Sequence, residues 1–300
     1  MTLALINGMR AVLVACALML ATAVIGAQDF PNAVIVGGES TYVVRPGDTV
    51  TAIAGHFGMS ASALIALNHL PHPNAVAPGQ TLLIDNPHLA AVDATRAITI
   101  NVAQRMLFLV DDDGVTGYPI TVGQRGWPTP LGPFTIVDKE QNPAWDVPES
   151  IQREMQAQGK PVITRMEPSP DNPLGDYWLR LSLPAIGIHG TNAPSSIYRY
   201  ASHGCIRMHP DDVAALFDRV VIGATGVIVY QPTLIAEIDG RIMLEVHPDP
   251  YRRVGDAAGS VRDAAEEQGI AGRIDWMKVD AVLRARAGRP EDVTATRTTR

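Results

Sequence analysis

The 300 residues are 46% hydrophobic and 18% charged, which is typical of a globular protein with one sizeable core and a second, smaller one. The 24 Lys and Arg against 31 Asp and Glu give a net charge of −7, and the sequence has no basic block with interleaved aromatic residues. This composition argues against a nucleic-acid-binding protein, so no nucleic-acid partner is expected.

The first 27 residues are predicted to be a secretory signal peptide. They contain one charge, Arg10, followed by an apolar stretch over residues 11–25 and small residues that end at Ala27. The stretch is shorter than the roughly 20 residues that span a bilayer, so an uncleaved anchor is the weaker alternative. The protein is therefore expected to be exported.

Removal of this leader would leave Cys205 as the one cysteine of the exported protein. An unpaired cysteine in an oxidising compartment cannot form an intramolecular disulfide. It is therefore either buried and inert or retained for chemistry, and composition alone leaves both possibilities open.

A small module is predicted over residues 41–85. A short strand runs into a turn at Gly47, and Asp48 is placed to cap a helix over residues 49–57. Ser60 is placed to cap a second helix, and a Pro-Gly turn leads into a last strand. The predicted order is strand, helix, helix, strand.

These residues resemble a LysM domain, a small module that binds N-acetylglucosamine-containing glycans of peptidoglycan or chitin. The resemblance rests on the Tyr-x-Val-x-x-Gly-Asp-Thr opening at residues 42–49, a following Ile-Ala pair, Asn68 and a closing Gly-x-x-Leu. It implies peptidoglycan glycan as a partner, with Gly47, Asp48 and Thr49 as the glycan-binding residues. A generic capped helical hairpin is the alternative.

Residues 97–231 are predicted to form a mainly β domain, a sandwich or a barrel, after a short linker over residues 85–95. With the first module, the predicted fold class is α+β. Many short apolar segments are separated by Gly and Pro, and Asp111–Gly114 is a hairpin turn. The strand candidates are residues 97–102, 106–110, 117–122, 134–137, 177–183, 186–189 and 226–230, and the helix candidates are residues 149–158 and 210–220.

The residues that carry chemistry lie in two short segments. Ile-His-Gly-Thr-Asn ends at residue 192, and Ser-His-Gly-Cys-Ile-Arg covers residues 202–207. A free thiol with a pKa of about 8.5 is mostly protonated at neutral pH, so thiol catalysis needs a neighbouring base such as imidazole. A metal site at His189, His203 and Cys205 is the alternative, but the usual paired ligand spacing is absent. No metal or organic cofactor is expected.

These segments resemble the catalytic domain of the YkuD-type L,D-transpeptidases, in which a His precedes Ser/Thr-His-Gly-Cys-x-Arg/Asn by a dozen or more residues. The resemblance extends over about residues 98–230. It includes Gly123 and the segments at residues 129–134, 142–145 and 172–175.

The resemblance implies a catalytic role for five residues. Cys205 would be the nucleophile and His189 the general base. The carbonyl of Gly190 would orient the imidazole, and the amides of His203 and Gly204 would frame the oxyanion hole.

The resemblance also implies a substrate-binding group. Arg207 would hold a carboxylate or backbone group of a peptidoglycan stem peptide. Ser202, Thr191 and Tyr198 are the other predicted substrate-binding residues. Ser202 is more suited to positioning the loop than to reacting. The bulky residues from Tyr198 to Tyr200 depart from the family pattern and are expected to narrow the donor groove.

The implied reaction is attack by Cys205 on the bond between diaminopimelate and D-Ala of a tetrapeptide stem. D-Ala leaves, and the acyl group passes to an acceptor. The acceptor remains open: a second diaminopimelate, a lysine of an outer-membrane lipoprotein, a free D-amino acid, or water in an L,D-carboxypeptidase or a lipoprotein-detaching hydrolase. A glycan-binding protein without activity is a third possibility. The expected location is the periplasm, in association with the cell wall.

Residues 232–300 are predicted to be a C-terminal extension, helical and then disordered. Residues 241–246 resemble one more strand. Residues 254–286 are Ala-rich, but four glycines interrupt the pattern, so one continuous helix is not expected. Residues 289–300 are predicted to be a disordered tail.

Overall fold

The computed structural model describes residues 33–72 and 75–296. The predicted signal peptide lies outside the described residues. Within the described part of the chain, no single helix is long and apolar enough to cross a membrane. The two short helices of the N-terminal module pass that test only as a pair, with a 101° bend between them.

The N-terminal module has the predicted order of strand, helix, helix and strand. Strands β2 and β3 pair antiparallel, and the helices pack on them around a small core that includes Leu64 and Leu82. Strands β1 and β4 form a second antiparallel pair next to this unit. The elements are β1 (Ala33–Val36), β2 (Glu39–Val43), α1 (Val50–His56), α2 (Ala61–Leu67), β3 (Thr81–Asp85) and β4 (His88–Ala91).

The structure confirms one local prediction for this part of the chain and contradicts two. Ser60 caps α2 as predicted, since its side chain accepts from the amide of Ala63 at 3.1 Å. The predicted cap at Asp48 is wrong, because Thr49 accepts from the amide of Ala52 and caps α1. The linker prediction is also wrong, because β4 lies within it. Its partner strand, β1, lies more than 50 residues earlier in the chain, so no local turn signal in the sequence predicts the pairing.

The second domain is a closed sheet of the barrel type, as predicted. Eight strands form the ring β7-β14-β12-β11-β8-β15-β5-β6, which closes because β6 also pairs with β7, and β13 pairs with β7 outside the ring. The elements are β5 (Ile98–Asn101), β6 (Met106–Asp111), β7 (Gly114–Gly123), β8 (Gly132–Gln141), β9 (Trp145–Asp146), α3 (Glu149–Ala157), β10 (Arg165–Met166), β11 (Tyr177–Leu181), β12 (Gly187–His189), β13 (Tyr200–Ser202), β14 (Ile206–Met208), α4 (Pro210–Arg219) and β15 (Thr225–Val229).

The interior of this sheet is apolar. Side chains that alternate along the strands point inward and are almost fully excluded from solvent, among them Ile100, Ile188 and Ile206. Burying such a side chain stabilises a fold by about 1.5–3 kcal/mol relative to leaving it in water. The opposite face of the strands is therefore free to carry polar chemistry.

The C-terminal residues form a small α+β unit with its own core. It contains β16 (Thr233–Ile238), β17 (Arg241–Val246), α5 (Ala257–Glu267), α6 (Trp276–Ala285) and β18 (Pro290–Asp292). The chain forms two separate helices here, α5 and α6, which confirms the prediction that the glycines interrupt a continuous helix. The prediction of a disordered tail is wrong for residues 289–296, because β18 pairs with β17 and Val293 is fully buried, and residues 297–300 lie outside the described residues. Strand β18 has the polar sequence Pro-Glu-Asp, which lacks the apolar alternation that would predict a strand.

A buried carboxylate joins this unit to the rest of the molecule. Glu245 accepts from the amide of Leu89 at 2.5 Å and from Nε2 of Gln104 at 3.0 Å. Its Oε1 also lies 2.9 Å from Nδ1 of His88 and 2.6 Å from Nε2 of His247. Burial acts to raise the pKa of Glu245, but the two histidines outweigh it and lower the pKa to about 2.

Candidate active site

The loop that carries Cys205 connects β13 to β14. Gly204 has a φ of +113°, a conformation that L side chains rarely adopt, and a Cβ there would lie 3.2 Å from the side chain of Ile186. The buried hydroxyl of Ser202 donates to the carbonyl of Cys205 at 2.5 Å and accepts from the amide of Gly204 at 3.2 Å. The hydroxyl of Thr129 donates to the carbonyl of Gly204 at 2.9 Å. The loop is thus held in one conformation.

The parallel pairing of β12 and β14 determines which side chains meet. Ile188 lies opposite Ile206, and His189 lies opposite Arg207. Successive side chains on a strand point to opposite faces, and parallel strands lie about 4.8 Å apart. Since both isoleucines face the interior, His189 and Arg207 share the outer face, and Cys205, two positions before Arg207, lies on that face as well.

Trp178 on β11 completes this outer face. It is the antiparallel partner of His189, and the two rings lie 5.8 Å apart between centroids. A Cβ at Gly187 would lie 2.4 Å from the indole ring, so the indole occupies the space above that glycine. Gly187 is also the position level with Cys205, so Trp178 borders both His189 and Cys205.

The imidazole of His189 is buried and held in one tautomer. Its Nδ1 lies 2.7 Å from the carbonyl oxygen of Gly190, so Nδ1 carries the proton and donates it. The lone pair is therefore on Nε2, the atom that a general base needs. Burial, helped by the nearby charge of Arg207, lowers the pKa of His189 to about 3. The imidazole is neutral near pH 7.

Cys205 is half-buried and protonated at rest. Burial raises the pKa of its thiol, while a backbone hydrogen bond from Gly187 and the charge of Arg207 act in the opposite direction. The thiol lies 3.6 Å from the carbonyl oxygen of Ala185 and donates to it. The resting pair is thus a neutral thiol and a neutral imidazole.

The guanidinium of Arg207 has no hydrogen bond or ion pair among the residues that the structure describes, and it interacts electrostatically with Cys205 and His189. Burial lowers the pKa of this group. A half-buried cation without an acceptor is costly, and it fits a site where a ligand supplies the anion.

Comparison with known proteins connects this geometry to a family. Residues 95–229 match the model of the YkuD L,D-transpeptidase catalytic domain, and residues 42–85 match the LysM domain. The probable L,D-transpeptidase YcfS of Escherichia coli is 31% identical over 280 residues, which cover 86% of this chain and 85% of the relative. The chain belongs to the L,D-transpeptidase family.

Two further relatives are shorter or more distant. The putative L,D-transpeptidase YkuD of Bacillus licheniformis is 36% identical over 177 residues, covering 58% of this chain and 90% of the relative. The crystal structure of L,D-transpeptidase 3 from Mycobacterium tuberculosis matches with a TM-score of 0.35 and 16% identity over 51% of this chain and 76% of that chain.

Within this L,D-transpeptidase, the structure brings Cys205, His189, Gly190 and Arg207 together. The ring of His203 lies against α3, where its Nε2 is 2.7 Å from Oε2 of Glu154. Glu154 is a neighbour that sequence analysis missed, because it lies 49 residues before His203 and no local pattern links the two.

The other predicted substrate-binding residues are placed differently. Thr191 is buried and borders a cavity of about 450 Å³ that Asn172 and Asp176 also line. The hydroxyl of Ser202 makes both of its hydrogen bonds within the Cys205 loop, so a substrate contact through this hydroxyl is not supported. Tyr198 is buried in an apolar cluster with Phe108, under the guanidinium of Arg105 at 3.9 Å. This packing contradicts the predicted substrate contact of Tyr198. The narrowing of the donor groove by residues 198–200 stays a prediction, since Arg199 is exposed.

The three predicted glycan-binding residues form a turn before α1. The carboxylate of Asp48 accepts from the hydroxyl of Tyr42 and from the amide of Arg45, both at 2.7 Å. Thr49 caps the helix, and Gly47 has a φ of +88° with open space above its Cα. The turn therefore has a fixed shape and leaves backbone accessible at Gly47.

Proposed function

We propose that this chain is a cysteine L,D-transpeptidase of peptidoglycan that uses Cys205 as nucleophile and His189 as base. The observation that carries the proposal is the fixed tautomer of His189 on the sheet face that also carries Cys205 and the unpaired Arg207. An imidazole with its free lone pair on Nε2 next to a thiol is the arrangement that thiol acyl transfer requires.

The proposed reaction begins with two neutral groups. Nε2 of His189 takes the thiol proton while Sγ of Cys205 bonds to the carbonyl carbon of diaminopimelate in the donor stem. The C–N bond to D-Ala then breaks, and the proton passes to the departing nitrogen. An acceptor amine attacks the thioester and gives a proton to His189, which returns it to Sγ when the C–S bond breaks.

The negative charge that develops on the carbonyl oxygen needs amide donors. The Gly204 amide already donates to Ser202, so we assign the main donor role to the amides of Cys205 and His203. Loss of one such donor costs roughly 2.7–4 kcal/mol of transition-state stabilisation in well-studied enzymes. Ser202 and Thr129 act indirectly, because they hold the loop that aims these amides.

Substrate recognition is assigned to Arg207 and to the cavity next to Thr191. Arg207 would bind a carboxylate of the stem peptide, whose charge compensates a cation that is otherwise unpaired. The cavity lies beyond Gly190, whose carbonyl holds the base, and is open to the peptide chain of the donor stem.

The N-terminal module would bind the glycan of the same polymer through residues 47–49. Attachment to the glycan raises the effective concentration of stems at the second domain. Peptidoglycan lies outside the cytoplasmic membrane, so this function requires export through the leader predicted for residues 1–27. An outer-membrane lipoprotein remains a candidate acceptor.

Mass spectrometry after incubation with disaccharide-tetrapeptides tests the proposal. Cross-linked dimers with loss of D-Ala are expected. Tripeptides without dimers would identify water as the acceptor and a carboxypeptidase, and unchanged substrate would contradict both activities. Cys205→Ala must form no product, and its circular dichroism and melting temperature serve as the folding control.

A further inference from the structure

Two histidines and an aspartate meet where the N-terminal module contacts the catalytic domain. His56 is the last residue of α1, His209 is the N-cap of α4, and Asp212 lies in the first turn of α4. The two imidazole rings lie 3.9 Å apart between centroids. One nitrogen or oxygen from each of the three side chains lies within 4.8 Å of the others.

Two of these three groups, His56 and Asp212, lack the hydrogen bonds that buried polar groups normally make. Oδ2 of Asp212 is buried and has no hydrogen-bond partner. The imidazole of His56 makes ring contacts with Phe57 and His209 but no hydrogen bond within the described ranges. Because almost all buried polar atoms in proteins are hydrogen-bonded, an unpaired carboxylate oxygen beside two imidazoles needs a specific explanation.

A second cluster of the same composition shows the difference. His88, Glu245 and His247 also lie within ligand distance of one another, but both oxygens of Glu245 already accept from protein donors. An ion there would have to displace the contacts that Oε1 of Glu245 makes with both imidazoles. Beside His56, an ion would displace no hydrogen bond of Asp212.

We propose that His56, His209 and Asp212 form a site for one divalent transition-metal ion, with Zn²⁺ as the best fit. Imidazole nitrogen and carboxylate oxygen are zinc ligands at about 2.0–2.2 Å. The three potential donor atoms already lie within 4.8 Å of one another. Three protein ligands leave a fourth position for water.

The neighbour Asp211 supplies a suitable outer contact. An ion bound through Nε2 of His209 requires the ring proton on Nδ1, and the carboxylate of Asp211 lies 3.7 Å from that nitrogen. Histidine ligands usually donate their other ring N–H to such a carboxylate. The present hydrogen bond from the amide of Asp211 to Nδ1 would then be replaced.

The ion would connect the two domains next to the active site. His56 belongs to the glycan-binding module, whereas His209 follows directly after β14, the strand that contains Arg207. The backbones also approach closely here, since a Cβ at Gly55 would lie 2.6 Å from the carbonyl oxygen of Ile197. The site would fix the orientation of the module relative to the nucleophile loop.

Isothermal titration calorimetry of chelator-treated protein with ZnCl₂ tests the site. One ion per chain is expected, together with a rise in melting temperature of roughly 5 °C or more at a hundredfold excess of free ion over Kd. His56→Gln, His209→Gln and Asp212→Asn should each weaken binding at least tenfold. Asp218→Asn, an exposed residue of the same helix, and His69→Asn in the module should bind as the wild type does.

An ion on the nucleophile must be distinguished from an ion at this site. Cys205→Ala should retain full binding, and Co²⁺ bound to the wild type should show no thiolate charge-transfer band. Absence of binding to the wild type would overturn the proposal, as would undiminished binding to the three ligand variants or complete loss in Cys205→Ala. Melting of each variant without metal shows that it is folded, and none of these readouts depends on transpeptidase activity.

Discussion

Glu245 and Arg207 are two charged side chains withdrawn from water that the molecule treats in opposite ways. Glu245 lies at the junction with the C-terminal unit, and two histidines, a glutamine and a backbone amide surround its carboxylate. Arg207 lies on the sheet face beside Cys205 and has no acceptor within the described part of the chain. The first charge is compensated from within the fold, and the second is left for a ligand to compensate.

This difference separates stability from function. Removing one member of a satisfied buried group leaves the others unpaired and costs free energy of folding. Removing an unpaired charge costs the folded state little and affects the ligand. Substitutions at Glu245 should therefore change mainly stability, and substitutions on the face of Arg207 should change mainly activity.

The largest effect is expected for His189→Asn. The substitution removes the lone pair that accepts the thiol proton, so kcat should fall by at least about 10³-fold in the dimer-forming assay. The melting temperature should change by less than about 3 °C, since the outer face contributes little to the apolar core. His69→Asn is the matched control, and residual activity within tenfold of the wild type would contradict the assignment of the base.

Glu245→Gln should have the opposite effects, a lower melting temperature with an unchanged kcat. It leaves two buried histidines facing a neutral amide, and loss of one partner of a buried ionic group costs roughly 3–5 kcal/mol. We expect a fall in melting temperature of about 6 °C or more, with kcat at 25 °C unchanged. Glu237→Gln, an exposed ion-paired residue of the same sheet, is the control. Equal melting of both variants would show that the cluster does not hold the C-terminal unit.

Sequence patterns anticipated the active face better than the junction for a physical reason. Cys205, His189 and Arg207 lie within 19 residues of one another. Alternation places Cys205 and Arg207 on one face, and the parallel register of β12 and β14 adds His189 to it. The hairpin of β11 and β12 also carried enough information to place Trp178 opposite His189, because its register follows from local pairing. Local rules therefore account for most of the site.

The junction depends on contacts that no local rule contains. Glu245 meets His88 across 157 positions, and β18 pairs with a strand nearly 50 residues earlier. Chain closure over such distances is decided by the packing of the whole molecule. The misplaced helix cap has a different cause, because Asp48 and Thr49 are both good capping residues and only the turn geometry selects between them.

Arg207→Gln should show that the unpaired cation serves the substrate. Hydrogen bonds to charged groups contribute about 1.5–3 kcal/mol, so KM should rise by about tenfold or more. The melting temperature should stay the same or rise, in contrast to Glu245→Gln. A stem with its diaminopimelate carboxylate amidated should be disfavoured by the wild type and tolerated by Arg207→Gln, with Arg207→Lys intermediate. Equal discrimination in all three would exclude carboxylate recognition by Arg207.

The smallest effect concerns the resting charge of the site. Burial raises the pKa of Cys205 and lowers that of His189 to about 3, so both groups are neutral near pH 7, and the thiolate fraction grows as pH rises. Alkylation by iodoacetamide, which requires thiolate, should be slower than that of a free cysteine at pH 7 and should still rise between pH 7 and 9. An alkylation rate already constant from pH 5 to 7 would show a thiolate–imidazolium pair instead.

Arg207→Gln should shift the rise in alkylation rate to higher pH, because the cation that favours the thiolate is lost. A shift of this rise to lower pH would contradict the conclusion that the charge of Arg207 favours the thiolate of Cys205.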